Sequence, residues 1–290
     1  MDTSRRDREE ALRDPVAGLT QAEAGAAAAR AGRPGGALEE DLLGAIARDE
    51  IEVLFQPQYN CADDSLCGAE ALVRWNHPAL GQIGAGGLFA IAERADHVIP
   101  LSRHIARLAL EGARDWPAAL RLSINVTPAE LAVAGHAEIF ADLVRASGFP
   151  ASRVTLEVME QVLISDIHAA RSSLTHLAAQ GMAIALDDFG AGFCNFRYLK
   201  LLPLHYLKLD RSMIDGVTSD PRDLAVLRGI IAMARALDLG VIAEGVESEA
   251  QRQLVAAEGC AVYQGFLRAR PMAAAAFAGI AAAMQSPVRS

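Results

Sequence analysis

From Ile51 onward, short apolar runs alternate with longer stretches in which apolar residues recur at helical spacing. The runs predict strands at Ile51–Gln56, Gly68–Val73, Arg121–Val126, Val154–Val158, Met182–Leu186, Tyr206–Leu209, Val241–Ala243 and Ala261–Phe266. The periodic stretches predict helices at Leu38–Arg48, Phe89–Arg114, Ala137–Ala146, Ala169–Gln180, Phe196–Leu201, Leu224–Leu237, Glu249–Glu258 and Met272–Met284. Two starts carry reciprocal caps: Thr127-Pro128-Ala129-Glu130 and Ser248-Glu249-Ala250-Gln251. Asn60–Ser65, between the first two strands, is turn-like and leaves no room for a crossover helix, and so direct a connection implies an antiparallel pair. Helices follow every later strand. The pattern predicts an α/β fold, a TIM-type (β/α)8 barrel modified by an antiparallel first strand. A doubly wound open sheet competes, but no Gly-rich nucleotide loop follows the first strand. Residues 1–37 are polar, then alanine-rich, and end in Gly32-Arg33-Pro34-Gly35-Gly36. They read as a flexible tail or linker remnant, with a short helix possible after Thr20; residues 38–290 form the barrel domain.

Barrel chemistry sits at the C-terminal ends of the strands. Those ends carry Glu70 and Arg74, Asn125, Glu157 and Glu160, Asp187 and Asp188, Lys208, Glu244, and Gln264. Each alone reads as a solvated residue or a helix cap. Together they are a ring of acids, amides and one lysine on strands otherwise built of Val, Ile, Leu and Ala. Asp187 and Asp188 are adjacent, so they converge only where the strand gives way to a loop. Gly190 and Gly192 supply backbone freedom there. Lys200 and Lys208 are the only lysines of the chain, which makes a lysine inside a strand unusual. So many carboxylates repel one another unless cations bind, and oxygen ligands suit magnesium or manganese better than zinc.

Composition narrows the chemistry. The 290-residue chain is 52% hydrophobic with a net charge of −9, which argues against a nucleic-acid polymer or an anionic membrane surface as partner. Cys61, Cys67, Cys194 and Cys260 form no Cys-x-x-Cys pair, and there is no His-Glu-x-x-His. No secretory segment or long apolar span is present, so the expected compartment is the cytoplasm. Sugar hydrolysis needs only two carboxylates and usually aromatic platforms, whereas aromatics are 5% of the chain. A kinase reading of Asp188-Phe189-Gly190 lacks its catalytic and phosphate loops. Two-metal phosphodiester hydrolysis fits best.

The segment Glu70-Ala71-Leu72-Val73-Arg74-Trp75 resembles the signature of the EAL domain, the bacterial cyclic-di-GMP phosphodiesterase. The likeness extends, in order, through Phe55-Gln56-Pro57, Asn125-Val126-Thr127-Pro128, Glu157-Val158-Met159-Glu160, Asp187-Asp188-Phe189-Gly190-Ala191-Gly192, Leu207-Lys208-Leu209-Asp210, Ala243-Glu244-Gly245-Val246-Glu247 and Gln264-Gly265-Phe266. The resemblance implies hydrolysis of cyclic-di-GMP to pGpG, with two Mg2+ or Mn2+ ions per site and Ca2+ inhibitory. It implies Glu70, Asn125, Glu157 and Asp187 as ligands of a first metal, and Asp187 with Asp188 as ligands of a second. Lys208 would orient or activate water, and Glu244 would act as ligand or base. Glu160 would brace the Asp-Phe-Gly loop. Leu72, Arg74, Gln56 and Gln264 would serve the substrate. It further implies a homodimer through the Asp187–Asn195 loop, and an upstream sensor or cyclase domain is a possible partner. A silent cyclic-di-GMP receptor is the alternative, but such forms typically lose Glu70, the Asp pair, Lys208 or Glu244. Three departures, Gly84–Phe89, Met159 and Cys194-Asn195, put rate and regulation in question rather than chemistry.

Overall fold

The computed structural model describes residues 36–133, 135–159, 167–191 and 196–283. Its strands are β1 (Ile51–Asn60), β2 (Leu66–His77), β3 (Gly81–Gly84), β4 (Arg121–Val126), β5 (Val154–Met159), β6 (Ala183–Phe189), β7 (Tyr206–Leu209), β8 (Gly240–Ala243), β9 (Val262–Gln264) and β10 (Met272–Ala273). Its helices are α1 (Ala37–Ala45), α2 (Ala85–Arg94), α3 (Val98–Ala113), α4 (Pro128–Ala132), α5 (His136–Ser147), α6 (Ile167–Ala179), α7 (Phe196–Leu201), α8 (Pro221–Ala236), α9 (Glu249–Glu258) and α10 (Ala274–Ala283). The chain divides into two compact units.

The larger unit holds the described residues of 55–71 and 106–283, and with them β4 to β10 and parts of β1 and β2. The order β1-β9-β8-β7-β6-β5-β4-β2 is closed by pairing of β1 with β2. β1 runs antiparallel to β9, with Gln58 opposite Gln264, while β2 and β4 to β9 pair in parallel. The inverted first strand follows from the tight link, where the Asn60 N–H donates to Ser65 O at 2.8 Å. Alternation sorts the side chains. Leu122, Ile124, Leu156, Val158, Ile184, Leu186, Leu207, Leu209, Val241 and Ala243 are buried on one face. The other face carries Glu70, Asn125, Glu157, Asp187 and Lys208 at alternate positions. Both capping boxes form, at Thr127/Glu130 for α4 and at Ser248/Gln251 for α9. An aromatic cluster of Phe55, Trp116 and Phe277 joins β1, the segment after α3 and α10, with ring centroids 4.4–6.1 Å apart.

The smaller unit holds the described residues of 36–54 and 72–105. There β3 pairs antiparallel with β2, setting Arg74 opposite Gly84. Asp41 and His77 pair at 3.0 Å, and Arg94 meets Glu39 at 2.5 Å. The single helix expected over Phe89–Arg114 is two. Asp96 takes a left-handed backbone, φ 50°, and stops α2. Pro100, which lacks an N–H, then falls in the first turn of α3, where none is needed. The Gly84–Phe89 departure is the end of β3 and the start of α2.

Candidate active site

Lys208 is the centre of the site. β7 carries it into the barrel mouth with its side chain 1% exposed. Its ammonium donates to Glu157 Oε2 at 2.6 Å and lies 2.9 Å from Asp187 Oδ1, 2.7 Å from Glu244 Oε1 and 3.5 Å from Glu70 Oε2. Burial alone would push such a lysine down. The four carboxylates outweigh it and hold the ammonium well above its ordinary value.

The acids do not behave alike. Glu157 is fully buried, and burial reinforced by Glu70 pushes its carboxyl well above the usual range. Burial likewise raises Asp187, lifts Asp188 to about 6 and lifts Glu244 to about 8. Glu70 goes the other way. Burial opposes its charge, but Lys208 and the amides of Gln264 and Asn125 prevail and lower it. Asn125 Nδ2 donates to Glu70 Oε1 at 2.9 Å, and Gln264 Nε2 donates to Glu70 Oε2 at 2.7 Å.

Asp187 and Asp188 converge by a route other than the expected one. The strand does not end at Leu186; β6 continues to Phe189, and its register with β7 slips between Leu186 and Phe189. Within this bulge Asp188 adopts φ 55°, a left-handed conformation that aspartate tolerates better than most residues. The bulge therefore turns two neighbouring carboxylates toward one place without a loop. Gly190, φ 104°, follows, and a Cβ there would meet Met213 Cγ at 2.5 Å.

Two carboxylate groups result, Glu70-Glu157-Asp187 and Asp187-Asp188-Glu244, each with one oxygen per residue within 4.8 Å of the others. Asp187 belongs to both. Glu157 Oε1 is buried and makes no hydrogen bond among the described residues. Glu244 Oε1 is buried too, and it lies against the Lys208 ammonium. An orphaned acceptor such as Glu157 Oε1 is costly unless a proton or a cation serves it. The donor set therefore fits divalent cations.

Of the residues expected at the site, Gln56, Glu70, Asn125, Glu157, Asp187, Asp188, Lys208, Glu244 and Gln264 lie in the larger unit. Leu72 and Arg74 fall in the smaller one, where Arg74 is buried and its Nη1 donates to Val73 O at 2.7 Å. Glu160, Gly192, Cys194 and Asn195 lie outside the described residues. Met159 is 39% exposed at the end of β5. The sequence reading missed Gln58, a buried amide that donates to Gln264 Oε1 at 3.0 Å. Its signal was there in the two glutamines, Gln56 and Gln58, spaced to share one face of an otherwise apolar strand.

A family model described as the EAL domain matches residues 39–271. An uncharacterised protein of Mycobacterium tuberculosis is 33% identical over 255 residues, covering 86% of this chain and 41% of the relative. The bifunctional diguanylate cyclase/cyclic di-GMP phosphodiesterase MucR of Pseudomonas aeruginosa is 34% identical over 245 residues, covering 82% of this chain and 35% of the relative. The solved PaMucR phosphodiesterase in complex with c-di-GMP superposes with a TM-score of 0.77 at 33% identity, covering 83% of this chain and 99% of that one. The chain thus spans about two fifths or less of the length of these curated relatives. Among the described residues, no helix is long and apolar enough to cross a membrane.

Proposed function

The chain belongs to the EAL domain family, and from that premise we propose that it hydrolyses cyclic-di-GMP to linear pGpG with two divalent cations, Mg2+ or Mn2+. The observation that carries the proposal is Asp187, shared by two carboxylate groups whose oxygens converge within 4.8 Å. Glu70, Glu157 and Asp187, with Asn125 beside Glu70, would hold one cation, and Asp187, Asp188 and Glu244 the other. When bound, the pair would polarise the phosphoryl oxygen and lower the pKa of an attacking water. The remaining tasks fall to the chain. Lys208 supplies a compact, fixed ammonium that orients the nucleophile and meets charge developing on phosphate, a task for which a guanidinium fork is poorly shaped. Glu244, half-buried and pushed up to about 8 by desolvation, is placed to take or return a proton near neutrality. Lys208, with Gln264 and Asn125, holds the Glu70 carboxyl below its ordinary value. Glu160 remains our candidate for bracing the Asp-Phe-Gly segment.

Full retention of these groups favours an enzyme over a silent receptor. The Asp187–Asn195 segment is the proposed homodimer face, supported by the exposed Phe196 that follows it, 58% accessible. A sensor or cyclase domain is the proposed partner of the chain, supported by the bifunctional relative. The test is incubation of the purified protein with cyclic-di-GMP and Mg2+ or Mn2+, followed by chromatography. The expected product is pGpG, abolished by chelator and poorly supported by Ca2+, which is larger and less exacting in geometry. Binding of cyclic-di-GMP without turnover in either metal would establish the receptor reading instead, and turnover in excess chelator would exclude the two-metal site.

A further inference from the structure

We infer that Gln58 is a positioning residue that fixes the Gln264 carboxamide in the orientation serving Glu70. The inference rests on the reading of Glu70 as a metal ligand. Gln58 and Gln264 are direct cross-strand partners in the β1–β9 pair. Gln58 Nε2 donates to Gln264 Oε1 at 3.0 Å. Gln264 Nε2 in turn donates to Glu70 Oε2 at 2.7 Å and to Gln56 Oε1 at 3.2 Å. All four side chains are buried, so water does not substitute for a lost partner.

A carboxamide has nearly the same shape after a half-turn about its last bond, but donor and acceptor exchange places. A half-turn of Gln264 would aim an oxygen at the Glu70 carboxylate and leave both as acceptors. Gln58 as it stands opposes this, because its Nε2 faces Gln264 Oε1 and the two amides would have to turn together. The amides therefore run in one direction, Gln58 to Gln264 to Glu70, and end on a charge, where a hydrogen bond is strongest. Asn125 completes the arrangement on the other Glu70 oxygen at 2.9 Å. Each oxygen then receives one amide hydrogen and keeps lone-pair capacity for a cation. Partners that orient a metal ligand in this way typically change metal affinity by about 10–100-fold when removed.

The experiment is calorimetric titration of the chelator-stripped full chain with Mn2+. Wild type is compared with Gln58→Met, Gln58→Glu, Gln264→Met and the double variant Gln58→Met/Gln264→Met. Gln58→Met keeps the length and loses the donor, and Mn2+ affinity is expected to fall about tenfold. Gln58→Glu replaces the donor by an acceptor facing Gln264 Oε1, drives the half-turn, and is expected to fall further. The double variant should bind as weakly as Gln264→Met alone, since Gln58 acts only through that amide. Additive losses would show that Gln58 contributes by packing alone, and an affinity for Gln58→Met within twofold of wild type would likewise overturn the inference. Should Gln58→Met not fold, Gln58→Glu, with the same volume, decides by the same measurement. Absence of Mn2+ binding by wild type is a separate outcome that removes the metal-site reading and this inference with it.

Discussion

Replacing Lys208 by methionine keeps most of the stem volume and removes the one ammonium facing Glu70, Glu157, Asp187 and Glu244. Three of those contacts are at 2.6–2.9 Å, and the lysine is fully buried. Breaking a buried ion pair by deleting one partner costs about 3–5 kcal/mol, because the remaining charge keeps its desolvation penalty. Here the stranded acids have an outlet. Burial raises Glu157, Asp187 and Glu244 above their ordinary values, so on loss of the ammonium they take up protons more readily and limit the loss. The full penalty is therefore expected near pH 8 and a smaller one near pH 6. For a chain of this size about 2–4 °C accompanies each kcal/mol, so the melting temperature in chelator should drop by roughly 6–20 °C at pH 8. Divalent cations bring their own charge to the same carboxylates. Saturating Mn2+ should then recover a large part of the lost stability, while the proposed hydrolysis stays depressed by about 10²–10⁴-fold if Lys208 orders water as proposed. Circular-dichroism melts at both pH values, with chelator and with Mn2+, check the reasoning. A melting temperature unchanged in chelator, or a penalty identical with and without metal, would refute the account of Lys208 as counter-charge.

Chelated wild-type protein should lose stability as pH rises from about 5 to 8.5. Asp188 and Glu244 have folded values raised to about 6 and about 8, so the native state binds more protons there than the unfolded chain and the slope of stability is negative; melts that rise with pH across this window would contradict the assignment. Carboxylates that Arg partners hold low, such as Glu39, Glu50 and Glu258, oppose this only at more acidic pH. Gly265→Ala should destabilise the protein by about 1–3 kcal/mol or more, since its Cβ would lie 2.1 Å from Val246 O and 2.3 Å from Val246 N. The same change should weaken Mn2+ binding by shifting Gln264, and a variant with wild-type melting temperature and affinity would show that the close approach is not needed.

Most of the barrel was legible because its determinants are local. β4 and β7 match the apolar runs residue for residue, and α7 and α9 match their periodic stretches. The inverted first strand was visible in the shortness of the Asn60–Ser65 link. Lys208 was visible because an apolar strand gives a lysine no neutral excuse. The misses are non-local or conformational. Two-residue alternation assigns Asp187 and Asp188 to opposite faces, so periodicity required a loop between strand and site. A bulge with Asp188 in the left-handed region solves the same problem inside the strand, and nothing in residue type alone distinguishes the two. The break between α2 and α3 was hidden because Ala95-Asp96-His97 interrupts an otherwise continuous apolar stripe, and only Pro100 hinted at a new first turn. Gln58 was missed for a different reason. Its role depends on which residue sits opposite, and Gln264 lies 206 positions away along the chain. Adjacency within a strand can be counted from the sequence, but adjacency across one must be inferred from closure of the barrel. The acids at strand ends and Gln264 could thus be named in advance, whereas Gln58, the amide opposite Gln264, emerged only when β1 was laid antiparallel against β9.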